Sequence, residues 1–129
     1  MLAFLTRYEP YIYAALRIVV GFLFLWHGVQ KLFGFPAPMP SGTPAFVVYV
    51  GGPIELVCGA LVMIGLFTRV AAFVASGEMA VAYWMVHGPR APLPLQNGGE
   101  LAVFYCFVFL FIAARGSVTW SVDAARRAS

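Results

Sequence analysis

The chain has 129 residues, of which 62% are hydrophobic and 10% are charged, and its formal net charge is +3 at pH 7. Soluble proteins are roughly 45–50% apolar and about 25% charged, so this composition predicts an integral membrane protein with the lipid bilayer as its surroundings. The length suits a single domain covering residues 1–129. The basic residues do not form the clustered face that a nucleic-acid site requires, which excludes nucleic acid as a partner.

The apolar stretches predict an all-α membrane protein, built as a four-transmembrane-helix bundle. A helix needs about 20 mostly apolar residues to cross a bilayer, and four stretches meet or approach this length, the third of them being short. They lie at about 11–33, 45–67, 69–86 and 97–114, with a tail at 115–129. Segments rich in proline and glycine interrupt the chain at 34–44 and 87–99, because these residues break helices.

Basic residues near the helix ends predict the orientation. With four crossings both termini share a side, and that side carries more basic residues than the other, which has Lys31 and Arg90. Its arginines are Arg7, Arg69, Arg115, Arg126 and Arg127. The positive-inside rule then places both termini in the cytoplasm and the two proline-rich loops outside. We therefore expect a multi-pass protein of a bacterial-type cytoplasmic (inner) membrane.

One face of the first helix carries charged and small residues. Its members are Arg17, Gly21, Phe24, Gly28 and Lys31, which recur at steps of four and three and so share one helical face. Charged residues in membrane helices face the bundle interior, and glycines let a neighbouring helix approach closely. We expect this stripe to face inward.

The second and third helices each place one acid among small residues. The two stripes are Gly51, Glu55 and Gly59, and Ala71, Ala75, Glu78 and Ala82. Counting about 1.5 Å per residue from the helix ends suggests that Arg17, Glu55 and Glu78 meet. Two carboxylates and one arginine leave an excess negative charge, so one acid is expected to hold a proton. Glu55 and Glu78 are therefore candidate catalytic, proton-exchanging acids; the equally weighted alternative is a structural clamp between helices.

A second polar layer is predicted nearer the outer surface. It consists of His27, Gln30, Lys31, His87 and Glu100. Each of its key members also has a structural explanation: His27 can be hydrogen-bonded within the bundle, and Lys31 can extend to the lipid headgroups. Glu100 can form a capping box with Asn97.

Pro53 interrupts the second helix just before Glu55. Because proline removes a backbone hydrogen bond, it either kinks a continuous helix or begins a new one. In the second case Glu55 lies in the first turn of the new helix, where the helix dipole favours an anion.

Four segments together resemble a known family. They are "LRIVVGFLFLWHGVQKLFGF", "IELVCGALVMIGLFTRVAA", "GEMAVAYWMVHGP" and "NGGELAVFYCFVFLFIAARGSVTWSVD". In order and spacing they are similar to the DoxX family of small four-helix integral membrane proteins (DoxX/DoxD-like), from Arg17 to Asp123. Pro53 departs from the family pattern just before the family-like glutamate.

The resemblance implies a role in redox chemistry. Relatives in this family resemble membrane subunits of thiosulfate:quinone oxidoreductases and quinol oxidases, so the expected role is a quinone-facing or anchoring subunit of an oxidoreductase complex. On this reading Arg17, His27, Gln30 and Lys31 are candidate quinone-binding or polar-site residues, and no cofactor is bound covalently. The alternative is a non-catalytic structural accessory subunit of a larger membrane complex; a small carrier is a third reading, weakened by the lack of a detectable inverted repeat.

Metal ligands and redox cofactors are not predicted within the chain. Cys58 and Cys106 lie in apolar runs without the spacing of a zinc or iron–sulfur site, and no pair of histidines has the spacing of a haem site. Electron carriers are therefore expected in partner subunits, and the chain is not expected to be an enzyme by itself.

Overall fold

The computed structural model describes all 129 residues and is helical throughout, without strands. Its α-helices are α1 (Phe4–Arg7), α2 (Glu9–Phe33), α3 (Gly52–Ile64), α4 (Thr68–Ala82), α5 (Pro94–Asn97), α6 (Glu100–Arg115) and α7 (Val122–Ala128). A π-helical turn, Val47–Gly51, leads into α3, and a second, Tyr83–His87, extends α4. The predicted all-α class is confirmed.

Three continuous helical stretches are long and apolar enough to cross a membrane. They are Glu9–Phe33, Val47–Ile64 and Thr68–Arg90, with 25, 18 and 23 residues. The prediction that the third stretch is short is wrong, because the π-helical turn and a 3₁₀ turn at Gly88–Arg90 prolong it. Instead α6 is the short one: its 16 residues span about 24 Å, less than the roughly 30 Å of a bilayer core.

Glycines fix the register between α2 and α3. A Cβ atom added at Gly21 would lie 2.6 Å from the backbone nitrogen of Met63, and one added at Gly59 would lie 2.7 Å from the backbone nitrogen of Leu25. One added at Gly28 would lie 2.6 Å from the carbonyl oxygen of Gly52. The two backbones therefore touch, as they do at small-residue interfaces in membranes. The predicted inward stripe of α2 is confirmed, since Arg17, Gly21, Phe24 and Gly28 are all buried.

Small residues on α4 form the second close helix contact, with α6. Ala71, Ala72 and Ala75 are at most 3% exposed, and the Ser76 hydroxyl donates a 2.7 Å hydrogen bond to the carbonyl oxygen of Cys106. Aromatic side chains fill the wider space between α2 and α6. Phe24 there packs edge-on against Phe109 with ring centroids 4.6 Å apart.

The bundle has two chemically different ends. Both termini lie at one, the termini end, where the Arg115 guanidinium donates a 2.7 Å hydrogen bond to Glu9 and the Tyr13 hydroxyl donates one to the carbonyl oxygen of Gly116. Segments 34–46 and 88–99 lie at the other, the loop end. The sides of the bundle between them carry many exposed apolar side chains, which is the surface a lipid environment requires.

Pro53 lies inside a continuous helical stretch, Val47–Ile64. It is the second residue of α3, and the π-helical turn Val47–Gly51 continues the same helix toward the loop end. A proline at this point is tolerated because the missing backbone N–H belongs to a first helical turn. Glu55 lies in the first turn of α3, but the helical stretch Val47–Ile64 is continuous through Pro53, so the alternative in which Pro53 begins a new helix is not met.

Candidate functional site

A buried ion pair joins α2 to α3 near the loop end. Lys31 Nζ lies 2.6 Å from both Oε1 and Oε2 of Glu55. Only 14% of the Lys31 side chain and 3% of the Glu55 side chain are exposed. The close contact of Gly28 with Gly52 determines this pairing, because it brings the last turn of α2 alongside the first turn of α3. The prediction that Lys31 extends to the headgroups is therefore wrong.

Glu78 of α4 adds a second carboxyl group beside this pair. Glu78 Oε1 and the Lys31 side chain meet at Gly51: a Cβ atom added there would lie 3.1 Å from Glu78 Oε1 and 3.9 Å from Lys31 Cε, so the glycine makes room for both. The Oε2 atom of Glu78 is buried and has no hydrogen-bond partner. Lys31, Glu55 and Glu78 form what we call the charged triad, with two acids and one base.

The charged triad lines a cavity of about 530 Å³. The cavity is walled by Phe24 and Tyr105 and is covered at the loop end by residues 39–44. This volume lies within the roughly 300–1,000 Å³ of small-molecule sites, which are mostly apolar with few polar groups. A few charged groups in an otherwise apolar cavity suit a small amphiphilic ligand.

His27, a predicted site residue, lines the same cavity as the charged triad. Its half-buried ring lines the cavity, and the ring centroids of His27 and Tyr105 lie 5.9 Å apart, edge to face. No hydrogen bond within the chain fixes the His27 ring, in contrast to the expectation that the bundle would bind it. Its nitrogens are thus free to bond a ligand.

The rest of the predicted outer layer is only partly assembled. His87 lines the cavity, and its Nδ1 lies 3.2 Å from the carbonyl oxygen of Asn97. Gln30 and Glu100 do not line the cavity. Gln30 is one position, about 100° around the helix, from Lys31, so the turn that directs Lys31 inward leaves Gln30 outside the cavity lining, and its role in a site stays a prediction. The predicted capping box is wrong, since the Asn97 side chain accepts from the N–H of Gly99, and α6 begins at Glu100.

Arg17 does not join the acids, so the predicted Arg17–Glu55–Glu78 cluster is wrong. Its guanidinium is fully buried and donates to the carbonyl oxygens of Val62 and Met63 at the end of α3, at 2.8 and 3.0 Å. Further bonds reach Thr119 and Trp120 in the segment before α7. The physical reason is the register: Arg17 lies 14 residues, about 21 Å, from Lys31 along α2, and Lys31 has taken the acid.

Asp123 completes the termini end, and the sequence did not single it out. Its carboxylate accepts bonds from the backbone N–H groups of Phe67 and Thr68, both at 3.0 Å, and from the Thr68 hydroxyl at 2.8 Å. Partial burial acts to raise the pKa of Asp123, but these hydrogen bonds outweigh it and hold the pKa below its ordinary value. The carboxylate caps the start of α4 from a distant part of the chain.

Tyr105 and Arg90 are the cavity residues that sequence reasoning missed. Tyr105 is 6% exposed and packs against Phe24 with ring centroids 5.0 Å apart, while Arg90 is exposed on the cavity rim. The one available signal for Tyr105 was a tyrosine among phenylalanines in the fourth apolar stretch. Arg90 carried no comparable signal.

Comparison with known proteins identifies the family. The DoxX family model matches residues 12–88. An uncharacterized protein of Haemophilus influenzae is 42% identical over 125 residues, covering 92% of this chain and 93% of that protein. An uncharacterized membrane protein of Mycobacterium tuberculosis is 43% identical over 96 residues, covering 68% of this chain but 56% of its own length.

A more distant relative has a name that refers to activity. The protein named "Putative oxidoreductase CatD" of Bacillus subtilis is 28% identical over 112 residues, covering 84% of this chain and 81% of that protein. No solved structure matches the chain. The family model covers more than half of the residues. The chain is a member of the DoxX family of membrane proteins.

Proposed function

We propose that this protein is an integral membrane subunit of an oxidoreductase complex and that its loop-end cavity binds the head group of a quinone. The observation that carries the proposal is the cavity itself, which combines apolar aromatic walls with the carboxyl group of Glu78, one oxygen of which has no hydrogen-bond partner. Buried polar atoms are nearly always hydrogen-bonded, so a carboxyl group with an unpartnered oxygen, on a residue that lines a cavity, is suited to a ligand there. The printed name of the Bacillus subtilis relative gives independent support for redox chemistry.

The chain's residues divide the work around the ring of a bound quinone. Phe24 and Tyr105 contact its faces, and His27 bonds one of its carbonyl oxygens. Glu78 exchanges a proton at Oε2, while Lys31 holds Glu55 as an ion pair beside it. A bound quinol would supply protons together with electrons: Glu78 would take up a proton, and the electrons would go to a redox centre on a partner subunit.

Four crossings and cytoplasmic termini complete the proposal. Although α6 is short, it runs the whole length of the bundle: Leu101 near its start lines the loop-end cavity, and Arg115 at its end pairs with Glu9. Residues that precede Glu100 can complete the crossing. Five arginines near the termini end against Arg90 at the loop end favour cytoplasmic termini in a bacterial inner membrane.

Photo-crosslinking of a tailless azido-benzoquinone to the full-length chain in nanodiscs tests the site. Glu78→Gln keeps the side-chain shape but removes the exchangeable proton and the charge. Losing a hydrogen bond that involves a charged group costs about 1.5–3 kcal/mol, so we expect crosslinking affinity to fall about 10- to 100-fold. Glu100→Gln is the matched control, because Glu100 is an exposed loop-end glutamate outside the cavity.

The same variants distinguish a working site from a structural subunit. The complex purified from native membranes with its partners should assemble normally with Glu78→Gln or His27→Ala but lose quinone-coupled turnover. If either variant abolishes assembly while any complex that forms turns over normally, the residues serve structure alone. A reporter inserted in segment 38–43 should label from outside the cell; cytoplasmic labelling would contradict the proposed orientation.

A further inference from the structure

Two valines that line the cavity are also exposed on the outside of the bundle. Val50, in the π-helical turn before α3, is 58% exposed, and Val81 of α4 is 55% exposed. Both lie within stretches that are long and apolar enough to span a membrane, Val47–Ile64 and Thr68–Arg90. Where a side chain lines an internal cavity and is itself exposed on the outer surface, the wall between the two is one side chain thick.

This thin part of the wall lies directly beside the charged triad. Val81 follows Glu78 by three residues and so shares its helical face. Val50 precedes Gly51, the glycine that makes room for Glu78 Oε1. Phe46, which is 45% exposed, is a third apolar lining residue on this side. We call the thin part of the wall formed by Phe46, Val50 and Val81 the portal.

The chemistry of the portal differs from that of the loop-end rim. The portal residues are all apolar, and a bilayer would present acyl chains to them, whereas the rim carries Thr43 and Arg90, which suit water. A water-soluble ligand would need only the loop-end rim to enter the cavity. An apolar portal beside the bilayer instead suits a ligand that is dissolved in the bilayer and whose tail remains in the lipid after its head has bound.

We propose that the ligand enters sideways from the bilayer through the portal, and that its class is a prenylated amphiphile with its head beside Glu78 and its isoprenoid tail between Val50 and Val81. This inference rests on the proposed quinone function and adds the route of entry and the tail. The head alone fits the cavity, and the tail remains in contact with lipid, so it need not be wholly enclosed by protein.

Narrowing the portal should therefore discriminate between ligands by their tails. The probes are the tailless azido-benzoquinone and the same ring with a farnesyl tail, each titrated against full-length protein in nanodiscs. Val50→Trp and Val81→Trp should weaken crosslinking of the farnesylated probe about tenfold or more, the effect expected of overpacking, and leave the tailless probe unchanged.

The helices provide their own controls. Val57 and Val74 lie seven residues from Val50 and Val81, toward the other end of the same helices; they are 54% and 41% exposed and do not line the cavity. Val57→Trp and Val74→Trp should affect neither probe. Leu101→Trp tests the opposite wall, since Leu101 also lines the cavity and is 52% exposed.

Each outcome decides a different point. If the portal variants leave the farnesylated probe unaffected, or weaken both probes equally, sideways entry at this place is wrong while the quinone site stands. If Leu101→Trp is the variant that discriminates, the tail leaves past α6, and the portal is overturned. If the unmodified protein crosslinks neither probe in the cavity, the proposed function fails and the portal fails with it.

Discussion

Lys31→Met gives the most direct test of the charged triad. Methionine keeps much of the length of the side chain but removes the ammonium group, so Glu55, which is 2% exposed, loses both of its 2.6 Å contacts to Nζ. Removing one partner of a buried pair typically costs about 3–5 kcal/mol, because a buried charge is left uncompensated. Since 14% of the Lys31 side chain is exposed, water offsets part of the loss, and we expect about 3 kcal/mol.

A double-mutant cycle isolates the interaction free energy between Lys31 and Glu55 from their other contacts. Replacing both partners, as in Lys31→Met with Glu55→Met, removes the uncompensated charge, and such replacements are often neutral or stabilising. The double variant should therefore recover most of the free energy of unfolding that Lys31→Met loses. Arg90→Met is the matched single control: Arg90 is an exposed cation at the cavity rim and forms no ion pair, so its loss should change stability by less than about 0.5 kcal/mol.

The chain carries its own reporter for this measurement. Cys58 is 7% exposed and lies three residues after Glu55 on α3, so a thiol reagent reaches it readily once α3 leaves the bundle. In a Cys106→Ala background, labelling of Cys58 along a denaturant series gives the free energy of unfolding. A Lys31→Met protein as stable as its parent, or a double variant as unstable as the single one, would refute the buried ion pair.

Three further changes test the parts that position the cavity. Gly28→Val should lower the free energy of unfolding by at least about 1–3 kcal/mol, because even its Cβ would lie 2.6 Å from the Gly52 carbonyl oxygen. The control is Gly77→Val, whose position has open space, and denaturant unfolding of the two variants checks the difference. Arg17→Met should release the C-terminal segment to trypsin, since four carbonyl oxygens lose their donor, and Arg17→Lys should rescue it only in part; equal protection in all three proteins would contradict this. Asp123→Asn should lower the free energy of unfolding by about 1 kcal/mol, and this free energy should then fall less steeply as the pH is lowered into the acid range. The folded-state pKa of Asp123 lies below its ordinary value, so its stabilisation is full above about pH 4 and is lost as the pH falls through the lower value; an unchanged acid limb would contradict the cap.

The inward faces of the helices could be predicted from the sequence because they depend on local periodicity. The stripe from Arg17 to Lys31 faces inward as predicted, and so does the stripe of Gly51, Glu55 and Gly59. In a membrane these faces are determined by the cost of exposing polar groups to lipid, which a single helix already reveals. The same reasoning identified His27 and both acids, all of which line the cavity.

The pairing between helices could not be predicted in the same way. Counting from approximate helix ends placed Arg17 near Glu55, but the register is determined by which glycines touch, here Gly21 with Gly59 and Gly28 with Gly52. The partners of Arg17 are backbone carbonyl oxygens, two of them beyond α6, and carbonyls have no signature in a sequence. The inward direction of the Lys31 side chain could not be predicted for a related reason, since a long, flexible lysine side chain can turn either into the bundle or out to the headgroups.

The unpartnered polar atoms distinguish the two ends of the bundle. Three buried side-chain nitrogen or oxygen atoms have no hydrogen-bond partner: Arg17 Nε, Arg115 Nε and Glu78 Oε2. The first two belong to guanidinium groups at the termini end whose other nitrogens are bonded to carbonyl oxygens or to Glu9, so the charge of each group is already compensated. Glu78 Oε2 is different, because it belongs to the second acid in a triad with a single base and to a residue that lines the cavity. A structural clamp would have no need of this extra acid, since Lys31 and Glu55 already join the helices. The position of Glu78 therefore favours exchange with a ligand at the loop end, whereas Arg17 and Asp123 hold the termini end together.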